Sequence, residues 1–352
     1  MNKTSAVFVL DRDAYELVYG PEERQRIAQL VNVLGPAQTS QSILENPKLL
    51  GAAEVLISGW GGPMLDGAFL DKAPRLKLVL FGAGSVSPLM TDAAWKRGIV
   101  VTSAYAANAI PVAEYTLSMI LFSLKHGWPL SRQTRERRSF PARDKAPGCY
   151  GSTVGLVSLG IIARTLLRLL KQIDVKVIAF DPFVTTAEAA ALGVELTTLA
   201  ELFRAADVVS IHTPHLAETE GMIDGSHILS MKEGATLINT ARGAVIREEE
   251  MLQAAARRPD LQFILDVLKK EPPEADSSLY TLPNIVLTPH IAGSAGRECL
   301  RMGRYMIEEL ERYLDGKPLH WRVTPELAAR SSHRGPGLSA TTFVKSKTPV
   351  PA

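Results

Sequence analysis

The sequence predicts an α/β protein built from two doubly wound parallel-sheet domains, on three observations. Short apolar runs alternate with helix-length segments in two separate stretches, the pattern of parallel strands covered on both faces. The second stretch contains strand, tight turn, helix, strand and acidic residue in the order of a dinucleotide-binding unit. At 352 residues the chain is also too long for one ordinary core.

In the first stretch, residues 6–10, 53–58, 76–81 and 99–103 read as strands and 22–34 as a helix, with a further helix over 90–96 starting at Thr91 and Asp92. Residues 108–125, ANAIPVAEYTLSMILFSLK with its flanking alanine, form a long helix whose apolar side chains extend around most of its surface. Such a helix needs cover between domains or from another subunit. After an Arg/Pro-rich connection over 132–148, read as a solvated loop, come strands at 153–158, 175–180, 207–212, 237–239, 263–267 and 285–288. Helices are expected over 161–171, 248–257 and 299–314. From 327 to 352 the chain is polar, rich in Ser, Gly and Pro and without period, so a disordered tail is expected.

Hydrophobic residues make up 46% and charged residues 22%, with a net charge of +2, which excludes the large basic excess of a nucleic-acid binder. The arginines between Arg132 and Arg143 are the local exception. Cys149 and Cys299 have no ligand spacing, so neither a disulfide framework nor a metal site is expected. No stretch is read as membrane-spanning, and the cytoplasm is the expected compartment.

The segment VGLVSLGIIARTLLRLLKQIDVKVIAFD carries the cofactor signal. A backbone that approaches a pyrophosphate at a helix N-terminus offers free N–H groups and a favourable dipole, and a carboxylate at the end of the next strand takes the adenosine ribose. Gly160 and Asp181 stand at about the required separation of twenty residues. The three glycine positions hold Ser158, Gly160 and Ala163, so Ser158 must reproduce a turn that glycine makes more easily. Asp181 favours NAD over NADP, since its charge repels a 2′-phosphate and no arginine follows it.

Three later segments place polar residues at the ends of expected strands of one sheet: INTARGAVIREEEM with Arg242, LDVLKKEPP with Asp266 and Glu271, and LTPHIAGSAGRE with His290. A planar guanidinium can grip a carboxylate bidentately, and a histidine can donate or accept a proton in the useful range. A carboxylate beside that histidine orients it.

Together with TSAYAANAIPVAEYT and the SLGIIA turn, these segments resemble the D-2-hydroxyacid dehydrogenases over roughly residues 50 to 325. The resemblance implies hydride transfer between NAD and C2 of a small 2-hydroxy or 2-keto acid. In it Arg242 grips the substrate, His290 moves the proton and Glu271 orients His290. It further implies that Asp266 lies near the nicotinamide, that Thr240, Ala241, His290 and Gly293 line the cofactor, that Pro214 and Thr219 flank its adenosine half, and that Ile161 and Ile162 lie by the pyrophosphate. FGAGSVSPL matches the family's substrate loop, with Ala83, Gly84 and Ser85 as the N–H donors to the acid. Substrate identity is expected to lie in this loop and its neighbours, Trp60 and Tyr105.

The implied architecture is a flavodoxin-like substrate domain from 1–104 with 293–326, and a Rossmann cofactor domain over 105–292. The active site is expected in a cleft between them that closes by a hinge. A homodimer through the 108–125 helix is expected. Two other readings stand beside this one. Formate dehydrogenases resemble the pattern with Gln in place of Glu271, and a dinucleotide-sensing corepressor of the same fold can keep all three polar residues.

Overall fold

A computed structural model describes residues 3–331 of the chain. They form two units: the residues up to Asn108 together with those from Ser294 onward, and Ala109–Gly293. The first crossing comes after Asn108 rather than after residue 104. The opening turn of the helix Tyr105–Leu124 places Ala107 in the core of the first unit, while Ala113, Ile120 and Leu124 join the core of the second.

In the first unit the strands β1 (Ser5–Val9), β2 (Asn32–Val33), β3 (Val55–Ser58), β4 (Leu78–Phe81) and β5 (Val100–Ser103) pair in parallel in the order β5-β4-β3-β1-β2, the flavodoxin-like arrangement. Both β3 and β4 are buried along their whole length, which is why their sequences VLIS and LVLF are continuous apolar runs rather than alternating ones. The helix expected over 22–34 is Pro21–Leu30. Val31 turns extended, and Asn32 and Val33 add an edge strand beside Ser5 and Ala6. The helix Asp92–Lys96 starts where the capping signal put it, with the Thr91 hydroxyl accepting the Ala94 N–H.

The second unit holds β6 (Ser152–Val157), β7 (Val175–Phe180), β8 (Glu195–Leu196), β9 (Val208–Ile211), β10 (Thr236–Asn239), β11 (Gln262–Leu265) and β12 (Ile285–Leu287). Their order is β12-β11-β10-β9-β6-β7-β8, with every neighbouring pair parallel. This is the Rossmann order with one further strand at the β12 edge.

A thirteenth strand, β13 (Arg322–Val323), returns to the first sheet antiparallel to β5. Buried Glu309, on the helix Cys299–Leu314, holds it there by accepting the His320 and Trp321 N–H groups, each at 2.9 Å. That helix turns Met302, Met306 and Leu310 into the core.

Three expectations need correction. The arginine-rich connection is helical over Gly127–Arg137, so Arg132, Arg135 and Arg137 lie on a helix rather than in a loop. The tail does not begin at 327: Pro325–Ala329 is a short helix capped by Thr324, and residues 332–352 lie outside the described ones. The helix Tyr105–Leu124 is long and apolar enough to cross a membrane by length and composition, and half of its most apolar stretch is buried inside the protein.

Candidate active site

The chain runs from β6 to β7 and β8 on one side and then returns to β9 on the other, so the crevice at the carboxyl ends of β6 and β9 is the switch point of the second sheet. Ser158 follows β6 there with φ of +77°, the left-handed conformation that glycine would adopt freely. Its N–H donates to Phe180 O at 2.8 Å and its hydroxyl meets the Thr213 hydroxyl at 3.1 Å, so two bonds hold the turn that serine makes less readily. Gly160 then caps the helix Ile161–Leu170, and no side chain bonds the N–H groups of its first turn. A Cβ on Gly160 would meet nothing within 4 Å and would project in front of that helix end. An uncapped helix N-terminus behind a glycine is the arrangement that fits a pyrophosphate.

At the end of β7 the Asp181 carboxylate accepts the Leu159 N–H at 2.7 Å and the Phe183 N–H at 2.8 Å, tying the glycine turn to the loop after β7. A carboxylate has about four acceptor sites, so it retains capacity for ribose hydroxyls. After β9, Thr219 shapes its loop by donating to Pro214 O at 2.6 Å and accepting the Leu216 N–H at 2.8 Å.

The catalytic candidates come from the carboxyl ends of three neighbouring strands. Arg242 follows β10, its loop held by the Asn239 side chain, which donates to Arg242 O at 3.0 Å and accepts the Ala241 N–H at 3.0 Å. The Arg242 guanidinium donates to Ala241 O at 2.6 Å. Gly243 is required next: a Cβ there would lie 1.9 Å from the Leu268 carbonyl carbon, so only glycine lets this loop press against the backbone that leads to Glu271. Thr240 is buried, its hydroxyl 3.4 Å from that of Thr116.

Glu271 Oε1 accepts the Leu268 N–H at 2.9 Å, and its Oε2 lies 2.8 Å from His290 Nδ1. Burial by itself would raise the Glu271 carboxyl. The hydrogen bond and charge of His290, the Leu268 N–H and the Arg242 charge outweigh it and hold the group below its ordinary value. His290 has φ of +55°, a strained position for a side chain of its size, and its N–H is anchored to Asp266 O at 3.0 Å and Thr288 O at 2.9 Å.

Asp266 organises this loop. Its buried carboxylate accepts the Thr288 hydroxyl at 2.6 Å, the Ile291 N–H at 2.8 Å and the Ala292 N–H at 2.9 Å, one residue before Gly293. Sequence reading misses Tyr115, whose hydroxyl lies 2.8 Å from that of Thr288. Since Thr288 donates to Asp266, Tyr115 donates to Thr288, and burial raises its phenol so that it keeps the proton. The YT pair ending the TSAYAANAIPVAEYT segment carried this signal, because Thr116 reaches Thr240 from the next position. Sequence reading also misses His212, at the end of β9. It is buried, with Nε2 3.1 Å from the Ser210 hydroxyl and no partner at Nδ1 among the described residues, and burial pushes it down to about 4.

The substrate loop belongs to the first unit. In the FGAGSVSPL loop the Ala83 N–H donates to Phe81 O at 2.7 Å. The Ser103 hydroxyl, bonded to Ala83 O at 2.8 Å and also to Gly84 O, fixes the loop from below.

Residues 117–292 match the family model described as D-isomer specific 2-hydroxyacid dehydrogenase, NAD binding domain. The chain is similar to the D-3-phosphoglycerate dehydrogenase of Archaeoglobus fulgidus, at 30% identity over 72% of this chain and 48% of that protein. It therefore spans about half the length of that relative. It is 36% identical to the (S)-sulfolactate dehydrogenase of Chromohalobacter salexigens over 71% of this chain and 81% of that one. Its fold is like that of the D-isomer specific 2-hydroxyacid dehydrogenase of Lactobacillus delbrueckii ssp. bulgaricus in its NAD-complexed form, with a TM-score of 0.75, 21% identity, and 91% of this chain and all of that chain covered.

Proposed function

Because the chain belongs to the D-isomer specific 2-hydroxyacid dehydrogenase family, with NAD as the cofactor of its second unit, we propose that it is an oxidoreductase moving a hydride between NAD(H) and C2 of a small D-2-hydroxy or 2-keto acid. The observation that carries this reading is the 2.8 Å contact of His290 with Glu271, formed by the loops after β11 and β12 next to the Arg242 loop after β10.

In the direction of reduction, bound NADH supplies the hydride to C2. The Arg242 guanidinium pairs with the acid's carboxylate and polarises the keto oxygen. His290, held through Nδ1 by Glu271, gives the proton at Nε2 to the oxygen as negative charge develops there. Glu271 then steadies the imidazolium before transfer and keeps the ring's orientation after it. Ala83, Gly84 and Ser85 are the residues proposed to offer N–H donors to the acid. Asp266 and Gly293, together with Thr240 and Ala241, would line the nicotinamide side, and Gly160 to Ile162, Asp181, Pro214 and Thr219 would hold the rest of the cofactor. A glutamate rather than a glutamine at 271 favours proton transfer to a substrate oxygen over formate oxidation. Turnover of a panel of 2-keto acids with NADH, followed at the nicotinamide absorbance, tests the reading. A chain that binds NADH and reduces none of them is a sensor or corepressor instead.

NAD preference rests on the Asp181 charge. Asp181→Asn, which keeps an acceptor for Leu159 or Phe183, should narrow the preference for NADH over NADPH by about tenfold, the worth of one like-charge contact. A wild-type protein that already prefers NADPH contradicts the assignment.

The protein acts as a cytoplasmic homodimer in this reading. On the helix Tyr105–Leu124, the residues Ile110, Leu117, Leu121 and Phe122 recur at helical spacing without full burial, and Phe122 is 42% exposed. A second copy would cover that stripe. Light scattering should give twice 38.2 kDa at micromolar concentration, and a 38.2 kDa particle would remove the dimer.

A further inference from the structure

The first sheet has a switch point of its own. The chain leaves β1 for β2 on one side and comes back to β3 on the other, and open α/β sheets take ligands outside the carboxyl ends at such a boundary. Pairing sets Val9 beside Ser58 and Ser58 beside Phe81, so the residues that follow these strands stand along one edge: Asp11 after β1, Trp60 and Gly61 after β3, Gly84 and Ser85 after β4. The Asp11 N–H donates to Trp60 O at 2.9 Å.

Gly61 has φ of +74°, and a Cβ there would lie 2.0 Å from the Asp11 carboxyl carbon, so the carboxylate occupies the room a side chain would need. That carboxylate does not cap the helix Arg12–Val18 and accepts no hydrogen bond among the described residues. Burial, and then the charge of Asp13, raise it above its ordinary value. Trp60 is half-buried with its ring against the apolar cores on both faces of the sheet. The loops after β3 and β4, residues 59–66 and 82–91, contain no Lys or Arg.

We propose that the substituent carried by the keto acid is uncharged and apolar, packing on Trp60, and that Asp11 rejects substituents ending in phosphate or sulfonate. An anionic group at this edge would be desolvated beside a carboxylate with no cation from the loops after β3 and β4, Arg12 beside Asp11 being exposed, which is selection by repulsion rather than by added contacts. Two of the acids for which relatives are named, phosphoglycerate and sulfolactate, carry such groups. The proposal rests on the dehydrogenase reading and on the Gly84–Ser85 loop taking the substrate's carboxylate.

The test compares kcat/KM of the full chain with NADH for phenylpyruvate and 2-ketoisocaproate against 3-phosphohydroxypyruvate and 3-sulfopyruvate. The uncharged acids should be favoured on the order of a hundredfold. Equal or better use of the anionic acids overturns this inference and leaves the dehydrogenase reading standing, whereas no turnover of any 2-keto acid overturns both. Asp11→Asn removes the charge without removing a hydrogen bond, and should narrow the ratio about tenfold through the KM of the anionic acids. Trp60→Leu should raise KM for phenylpyruvate more than it lowers kcat. A ratio that stays put in Asp11→Asn, or a phenylpyruvate KM that stays put in Trp60→Leu, rejects the role given to that residue.

Discussion

Arg242→Ala should lose about 3–5 kcal/mol of transition-state stabilisation, roughly a hundred- to a few-thousandfold in kcat/KM for a 2-keto acid. The size follows from what is left behind: a carboxylate taken out of water without its bidentate partner. Arg242 also lowers Glu271 by its charge, so its removal should let the Glu271 carboxyl rise toward its ordinary value. The loss is expected in the grip on the substrate's carboxylate, so NADH affinity should change less than kcat/KM. Fluorescence titration with NADH checks this alongside steady-state rates. Near wild-type kcat/KM in the variant would remove Arg242 from the site.

His290→Gln should lose most activity in both directions while retaining NADH binding, because no other described group stands in the same relation to Glu271. Glu271→Gln keeps the shape and removes the charge. The hydrogen bond and charge of His290 help hold the Glu271 carboxyl below its ordinary value, so the Glu271 charge stands against the imidazole ring. Reduction begins from the protonated pair and weakens as pH rises; oxidation begins from neutral imidazole and weakens as pH falls. Without the Glu271 charge both limbs should move to lower pH, and reduction at neutral pH should slow. Two pH–rate profiles that stay in place would mean the proton comes from another group. The same substitution has a stability readout. A carboxyl depressed in the folded state contributes stability that is present above its unfolded value, about 4.3, and is lost as pH falls through the lower folded value. Glu271→Gln should therefore lower Tm at neutral pH and narrow that gap on the acid side. Buried His212 acts in the same direction: it stays neutral in the folded state down to about 4, so stability falls as pH drops below its ordinary value near 6.5.

Local chemistry explains which parts of this protein could be read from its sequence. The strands β7 and the helices Glu248–Arg257 and Cys299–Leu314 have the bounds expected of them, because apolar periodicity and terminal residues act over a few positions. The glycine turn, Asp181 and the three polar segments were visible for the same reason, since each is a short run with one chemical task. Two-residue strands were not visible: β2 and β13 exist because Ser5 and β5 offer paired edges and because Glu309 clasps the chain from another helix. Nor was the arginine-rich helix Gly127–Arg137, whose side chains carry no buried stripe to announce it.

By itself the sequence determined the two α/β units and offered the glycine turn, Arg242, Glu271 and His290 as candidates, since those depend on residue type and spacing along the chain. Only the tertiary structure decided what these groups touch. It showed the Asp266 carboxylate holding the His290 loop, Tyr115 and Thr288 backing it, the Ala83 N–H bonded to Phe81 O, and Asp11 filling the space over Gly61. The physical reason is range: a hydrogen bond or a steric contact joins residues that the fold brings within about 3 Å, and no local pattern records which distant residue will be there.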